Sequence, residues 1–262
     1  MTASDGVMLD PSFRIGQCAY AMIGGLHVAD TTARRFLPLK TVPVVYFSDV
    51  LCVWAYIAQL RVNAVKATFG GQVLFEPRFC SVFGASAHKI STTWRDKGGY
   101  EGFNTHLRGV AEQFPEIRLN PDIWLTVRPA SSTSPHLFLK ALQLLEAAGD
   151  CAEGAADDAT WAMRRAFFES ARDIGRWEIQ CEVGEDVGVD PSAISGLIRD
   201  GSAYAALDSD LRDADAMRIR GSPSFVLNEG RQTLYGNVGF RVLEANIQEL
   251  LRAPTADQAS WC

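Results

Sequence analysis

Apolar positions along the chain change their period three times. Val42 to Phe47 (VPVVYF) is a short run rich in β-branched and aromatic residues, which predicts a buried strand. Ser48 and Asp49 follow, both residue types that open helices. Val53 to Phe69 then sets apolar residues at helical spacing, with Trp54, Ile57, Leu60, Ala64 and Val65 on one side, until Gly70-Gly71 stops the pattern. Gln72 to Phe79 (QVLFEPRF) is a second strand signal. Strand, helix and strand in this order make a βαβ unit, a parallel pair with a right-handed crossover.

The middle of the chain is helical in pattern, over Tyr100 to Phe114, Pro135 to Gly149, Ala156 to Gly175, Ile179 to Val187, and Pro191 to Gly201 into Leu211. Pro135 suits a first helical turn, Gly149 a C-terminal stop, and Asp190-Pro191 a cap followed by a first-turn proline. Strands return at Ser224 to Leu227 and Gln232 to Tyr235, on either side of Asn228-Glu229-Gly230, where the glycine permits a positive φ. Phe240 to Leu251 is a strongly amphipathic last helix. The first and last parts each lack the strands to cover their own helix. They are therefore expected to close into one sheet of about four strands, an α/β fold from which the helical block hangs as a lid. The expected organisation is an N-terminal extension over 1–40, one α/β domain from 41–84 and 216–252, a helical insertion over 85–215, and a tail over 253–262.

Composition narrows the function without naming it. Of 262 residues, 47% are hydrophobic and 21% charged, an ordinary globular balance. A net charge of -6 argues against a nucleic-acid surface built on excess Lys and Arg. No apolar run reaches the ~20 residues that span a bilayer, so no membrane partner is expected. Ile15 to Val28 is moderately apolar, but Asp5 and Asp10 precede it with Arg14 as the one nearby cation, unlike a secretory signal. A cytoplasmic, reducing location follows as the expectation, with the cysteines as free thiols. The six cysteines include no CxxC pair, so no metal site is expected, and no GxSxG, P-loop, HExxH or GxGxxG motif is present.

Cys52 stands out by position, because it follows the first strand and begins a helix. An ordinary thiol with a pKa near ~8.5 is only about 3% thiolate at pH 7, and the amides and dipole of a helix N-terminus lower that pKa. A reactive thiolate is the expectation. The second feature is Pro223, in Gly221-Ser222-Pro223-Ser224-Phe225-Val226, immediately before the strand that opens the hairpin.

Phe47-Ser48-Asp49-Val50-Leu51-Cys52-Val53-Trp54-Ala55-Tyr56-Ile57 resembles the active-site segment of the DsbA-like FrnE subfamily. Gly221-Ser222-Pro223-Ser224-Phe225 is similar to that family's cis-proline loop, and Gly236-Asn237-Val238-Gly239-Phe240-Arg241 to the turn into its last helix. Asn120-Pro121-Asp122-Ile123-Trp124 and Ala130-Ser131-Ser132-Thr133-Ser134-Pro135 in the insertion fit as well. The resemblance implies a thioredoxin-like fold with a long all-helical insertion, a cis Pro223 beside the thiol, and thiol–disulfide exchange. It also reaches the 2-hydroxychromene-2-carboxylate isomerases and kappa-class glutathione transferases, which usually carry serine at the Cys52 position and bind glutathione there.

One departure shapes the expected chemistry. Ala55 stands where the second motif cysteine belongs and Val53 where the motif proline belongs. A dithiol enzyme releases its mixed disulfide with the second cysteine, which Ala55 cannot do. The resulting expectation is a monothiol oxidoreductase with Cys52 as nucleophile and glutathione as co-substrate, no cofactor being bound. Its partners would be glutathione or protein and peptide disulfides, with a homodimer through the insertion as a further implication. Two alternatives stand beside it: a glutathione-dependent isomerase or transferase, and a non-catalytic binding module. Trp54, Ser222, Pro223 and Asn237 are the expected substrate- or glutathione-binding residues, with Arg241, Arg95 and His88 as possible added positive charge. Cys262, behind Trp261 at the end of the tail, is a candidate resolving thiol. Cys80, His106 and His136 read as structural.

Overall fold

A computed structural model describes residues 41–252. The extension over 1–40 and the tail with Trp261 and Cys262 lie outside the described residues. Strands β1 (Val42–Ser48), β2 (Val73–Phe79), β3 (Ser224–Leu227) and β4 (Gln232–Tyr235) form one mixed sheet in the order β2-β1-β3-β4. β1 and β2 run parallel from Val42↔Val73 to Ser48↔Phe79. β3 runs antiparallel to both β1 and β4. β1 is central, and its alternation feeds two cores. Val42, Val44 and Tyr46 pack with Val62 and Val65 on one face, while Phe47 meets Cys80, Ala214 and Val226 on the other. Pro77 is tolerated in β2 because that strand lies at the sheet edge, where a missing N–H breaks no ladder.

The crossover helix α1 spans Val53–Phe69, and α9 covers Phe240–Arg252 on the same side of the sheet. The sequence pattern suggests one apolar side for α1, but the helix is buried around most of its circumference. Val53, Ala55, Tyr56, Ile57, Ala58, Val62, Val65 and Phe69 are all buried. The reason is that α1 is sandwiched, with Ala58, Val62 and Val65 against the sheet and Ala55, Tyr56 and Ile57 against the insertion. Tyr56 stacks on Phe168 and Trp161, with ring centroids 4.9 and 5.3 Å apart.

The insertion contains α2 (Ser86–Thr93), α3 (Gly99–Ala111), α4 (Thr133–Ala148), α5 (Ala155–Phe168), α6 (Trp177–Asp186), α7 (Pro191–Arg199) and α8 (Ser202–Ala216). Asp190 caps α7 by accepting the Ser192 N–H, with Pro191 in the first turn. α4 ends at Gly149 with φ 81. α5 ends at Phe168 rather than running to Gly175, and the chain leaves it through Ala171 at φ 48. α2 was hidden by its polar Ser-, Thr- and His-rich sequence. The block is not a hanging lid: Cys52, Ala55 and Tyr56 share one continuous apolar cluster with Phe103, Phe138, Leu142 and Phe167. Among the described residues no helix is long and apolar enough to cross a membrane.

Candidate active site around Cys52

β1 delivers Ser48 and Asp49 to the end of the sheet, and a tight turn then places Cys52 at the head of α1. The Cys52 N–H donates to the Asp49 carbonyl at 3.0 Å, and the Cys52 carbonyl accepts the Tyr56 N–H at 3.0 Å. Asp49 does not cap the helix as its residue type suggests. Its fully buried carboxylate accepts the Leu51 N–H on Oδ1 and the Val82 N–H, Phe83 N–H and Ser132 hydroxyl on Oδ2, at 2.8–2.9 Å. Four donors on one carboxylate offset the cost of burying it. Behind this turn, His136 Nε2 accepts the Val50 N–H at 3.1 Å. Burial, opposed by the Asp49 charge, lowers the pKa of His136 to about 4, so the ring is a neutral acceptor.

The loop before β3 closes the site. The Ser222-Pro223 bond is cis. Ser222 Oγ accepts the Asp49 N–H at 2.8 Å, and the Ser222 carbonyl accepts the Cys52 thiol at 3.2 Å. Ala55, fully buried one turn along α1, offers no second sulfur. The expectation of a lowered thiol pKa is overturned. Cys52 is 6% exposed, and burial pushes its thiol up, with the Asp49 charge adding to the rise. Hydrogen bonding by Ser222 and the amides of Ala55 and Trp54 pull the other way without prevailing. Position at a helix head favours a thiolate, but a dry environment penalises one more.

Cys52 forms part of the wall of a cavity of about 640 Å³. Trp54, Phe103, Leu107 and Leu211 give it an apolar side, and Trp54 packs edge-on to Phe114 at 6.3 Å. Lys89 and Arg220 bring positive charge and Asp215 one negative charge, while burial and Lys97 lower the pKa of His106 and keep its ring neutral. Lys89 is steadied over the Phe83 ring at 5.2 Å. A larger cleft of about 850 Å³ runs along the free edge of β2 and includes neither Cys52 nor the cis-proline loop.

Of the residues expected to bind substrate, the structure gathers Cys52, Trp54 and Ser222 on this cavity, with Pro223 buried directly behind Ser222. Asn237 is exposed and is not part of the cavity wall, and neither are Arg241, Arg95 and His88. The cationic residues present, Lys89 and Arg220, are not among those the sequence marks for that role. Lys89 follows His88 directly and Arg220 lies two residues before Ser222, and only that closeness to the motifs pointed to them. Cys80 is buried on the same cavity wall, and burial pushes its thiol far up. Cys262 lies outside the described residues. Among the described residues no cluster of three or more His, Cys, Asp or Glu suits a metal ion.

The DSBA-like thioredoxin domain family model matches residues 43–248. Among solved structures, the fold is similar to one described as a probable DsbA oxidoreductase from Streptomyces coelicolor, at 18% identity and TM-score 0.64, over 82% of this chain and 92% of that one. It is similar to the cytosolic disulfide reductase DsbM from Pseudomonas aeruginosa, solved with GSH, at 18% identity and TM-score 0.58, over 79% and 99%. It is also similar to a 2-hydroxychromene-2-carboxylate isomerase at 18% identity and TM-score 0.59, over 80% and 97%. No curated protein matches the sequence.

Proposed function

Since the chain belongs to the DSBA-like thioredoxin domain family, we propose that it is a monothiol thiol–disulfide oxidoreductase in which Cys52 is the nucleophile and glutathione the co-substrate. The observation that carries this reading is the Cys52 sulfur set against the cis-proline loop without the motif's second cysteine. Cys52 Sγ lies 3.2 Å from the Ser222 carbonyl, on a cavity wall, with Ala55 where a resolving cysteine would stand.

In the proposed cycle Cys52 loses its proton to solvent, and its thiolate attacks one sulfur of a glutathione mixed disulfide. The Cys52–glutathione disulfide forms as the S–S bond of the substrate breaks, and the partner leaves as a thiolate that takes up a proton. A second glutathione thiolate then attacks the glutathione sulfur, releasing oxidised glutathione and returning Cys52. One glutathione thiol and the mixed disulfide thus give the free substrate thiol and oxidised glutathione, with one disulfide bond broken and one formed. The Ser222 backbone aligns the extended cysteinyl part of glutathione, and Lys89 and Arg220 pair with its two carboxylates. Such a cycle belongs in a reducing compartment.

A second reading is supported by the raised pKa of Cys52. A thiol that stays protonated can donate its hydrogen bond to a bound glutathione thiolate, as a serine would, and the apolar wall of Trp54, Phe103 and Leu107 would take an electrophile. One experiment separates the two: reduced protein is mixed with oxidised glutathione, then digested and weighed. The oxidoreductase predicts one glutathione on the Cys52 peptide. An unmodified Cys52 beside glutathionylated Cys151 and Cys181 overturns it and leaves the isomerase or transferase reading.

A further inference from the structure

Where β1, α1 and α5 meet, a guanidinium is buried without a counter-charge. Arg164 on α5 is 1% exposed, and its terminal nitrogens donate to Gln59 Oε1 at 2.5 Å and Ser48 Oγ at 2.9 Å, both neutral acceptors. Among the described residues no ion pair includes it. The Arg164 guanidinium faces the buried Tyr46 hydroxyl oxygen, and neither the Arg164 Nε–H nor the Tyr46 O–H makes a well-formed hydrogen bond among the described residues. Arg164 and Tyr46 line the same small cavity of about 20 Å³, together with Ser48, Gln59, Lys66 and Asp157. A space of ~10–15 Å³ or more suffices for one water-sized occupant.

The chemistry of the wall selects that occupant. Lys66 is already paired with Asp157, so the wall carries one positive charge in excess, that of Arg164. The Tyr46 oxygen faces the guanidinium, and the Arg164 Nε–H and the Tyr46 O–H remain as donors. Burial raises the pKa of Tyr46 to about 12, which keeps its O–H available for donation at neutral pH. A water would meet the two donors and leave the buried charge unbalanced, the costlier of the two defects. A polyatomic anion such as gluconate is too large to enter.

We propose that this cavity binds a monoatomic monovalent anion, chloride in solution, held by the Arg164 Nε–H and the Tyr46 O–H. The site lies on the α1 face of the sheet and takes no part in the chemistry of Cys52.

The test is thermal unfolding of the full chain in sodium chloride against sodium gluconate at equal ionic strength. The expected result is a saturable rise in Tm with chloride, reproduced by bromide, as binding to the folded state requires. Arg164→Met abolishes the dependence on chloride. Tyr46→Phe keeps the ring, removes one donor, and raises the half-saturating chloride concentration about tenfold. If Arg164→Met does not fold, Tyr46→Phe decides. Crystals grown in bromide should show an anomalous peak between Arg164 and Tyr46. Identical melting in the two salts overturns the proposal, as does an unchanged chloride effect in Tyr46→Phe or a water without anomalous signal at that position.

Discussion

The hydroxyl of Ser132, one residue before α4, donates to Asp49 Oδ2 at 2.8 Å, across 83 positions of sequence. Through this bond the insertion holds the turn that carries Cys52. Asp49 also binds the amides of Val82 and Phe83 after β2, and its own amide reaches Ser222 before β3. One buried carboxylate thus ties together the segments that surround the thiol.

Replacing Asp49 with Ala leaves buried donors in several of those segments unmet. The variant should lose roughly 3–5 kcal/mol of stability. Ser132→Ala, which removes one neutral donor, should lose about 1 kcal/mol. Urea unfolding of the two variants checks both values, and equal losses would contradict the central place of Asp49.

His136 makes stability depend on acidity. Its pKa is about 4 in the folded protein against an ordinary 6.5, so below pH 6.5 the unfolded chain takes up a proton that the folded one refuses. Stability is full above pH 6.5 and falls as pH drops toward 4, by roughly 3 kcal/mol from this group. His136→Gln keeps an acceptor for the Val50 N–H and should flatten that part of the pH profile, as measured by urea midpoints between pH 4 and 7.

The burial of Cys52 predicts slow alkylation at neutral pH. Its rate with iodoacetamide should still be climbing at pH 9, because the folded protein holds its pKa above the ordinary thiol value. A plateau reached near pH 7 would reveal a stabilised thiolate instead. The Asp49 charge is one cause of the rise.

Ala55→Cys supplies a second sulfur one turn from Cys52. The glutathione adduct on Cys52 should then give way to an internal disulfide, and reduction of small disulfides with an external dithiol should rise at least tenfold. Intact mass and turnover assays read both effects.

Lys89→Ala and Arg220→Ala each remove one cation from the cavity wall. Each should raise KM for glutathione about tenfold, the effect of losing roughly 1.4 kcal/mol of charge-assisted hydrogen bonding, with kcat nearly unchanged. Arg241→Ala, on an exposed residue away from the cavity, is the control.

Local pattern made much of the fold legible. The helix over Val53–Phe69 and the strands Ser224–Leu227 and Gln232–Tyr235 match the expected spans, because periodicity and turn residues are properties of neighbours in sequence. Cys52 stands out by its position between strand and helix, and the cis bond at Pro223 is what the motif resemblance implies. The rest depends on residues distant in sequence. No local signal shows that Asp49 will meet Val82, Phe83 and Ser132, or that Lys89, His106 and Arg220 will share a cavity. The thiol pKa was misjudged for the same reason: the helix head is visible in sequence, whereas the apolar shell around it is assembled by tertiary packing. The sequence places Asn237 at the start of the last helix, and in the structure it is exposed and outside the cavity wall.

The contact between Cys52 and Ser222 spans 170 residues, which sets an order of events during synthesis. A ribosome makes the nucleophile early and must then extrude the whole helical block before the proline loop emerges to cover it. The insertion residues that pack around the sulfur are made before the carbonyl that accepts its thiol. The enclosure of the nucleophile is therefore completed in order of synthesis, by the helical block first and by the proline loop last.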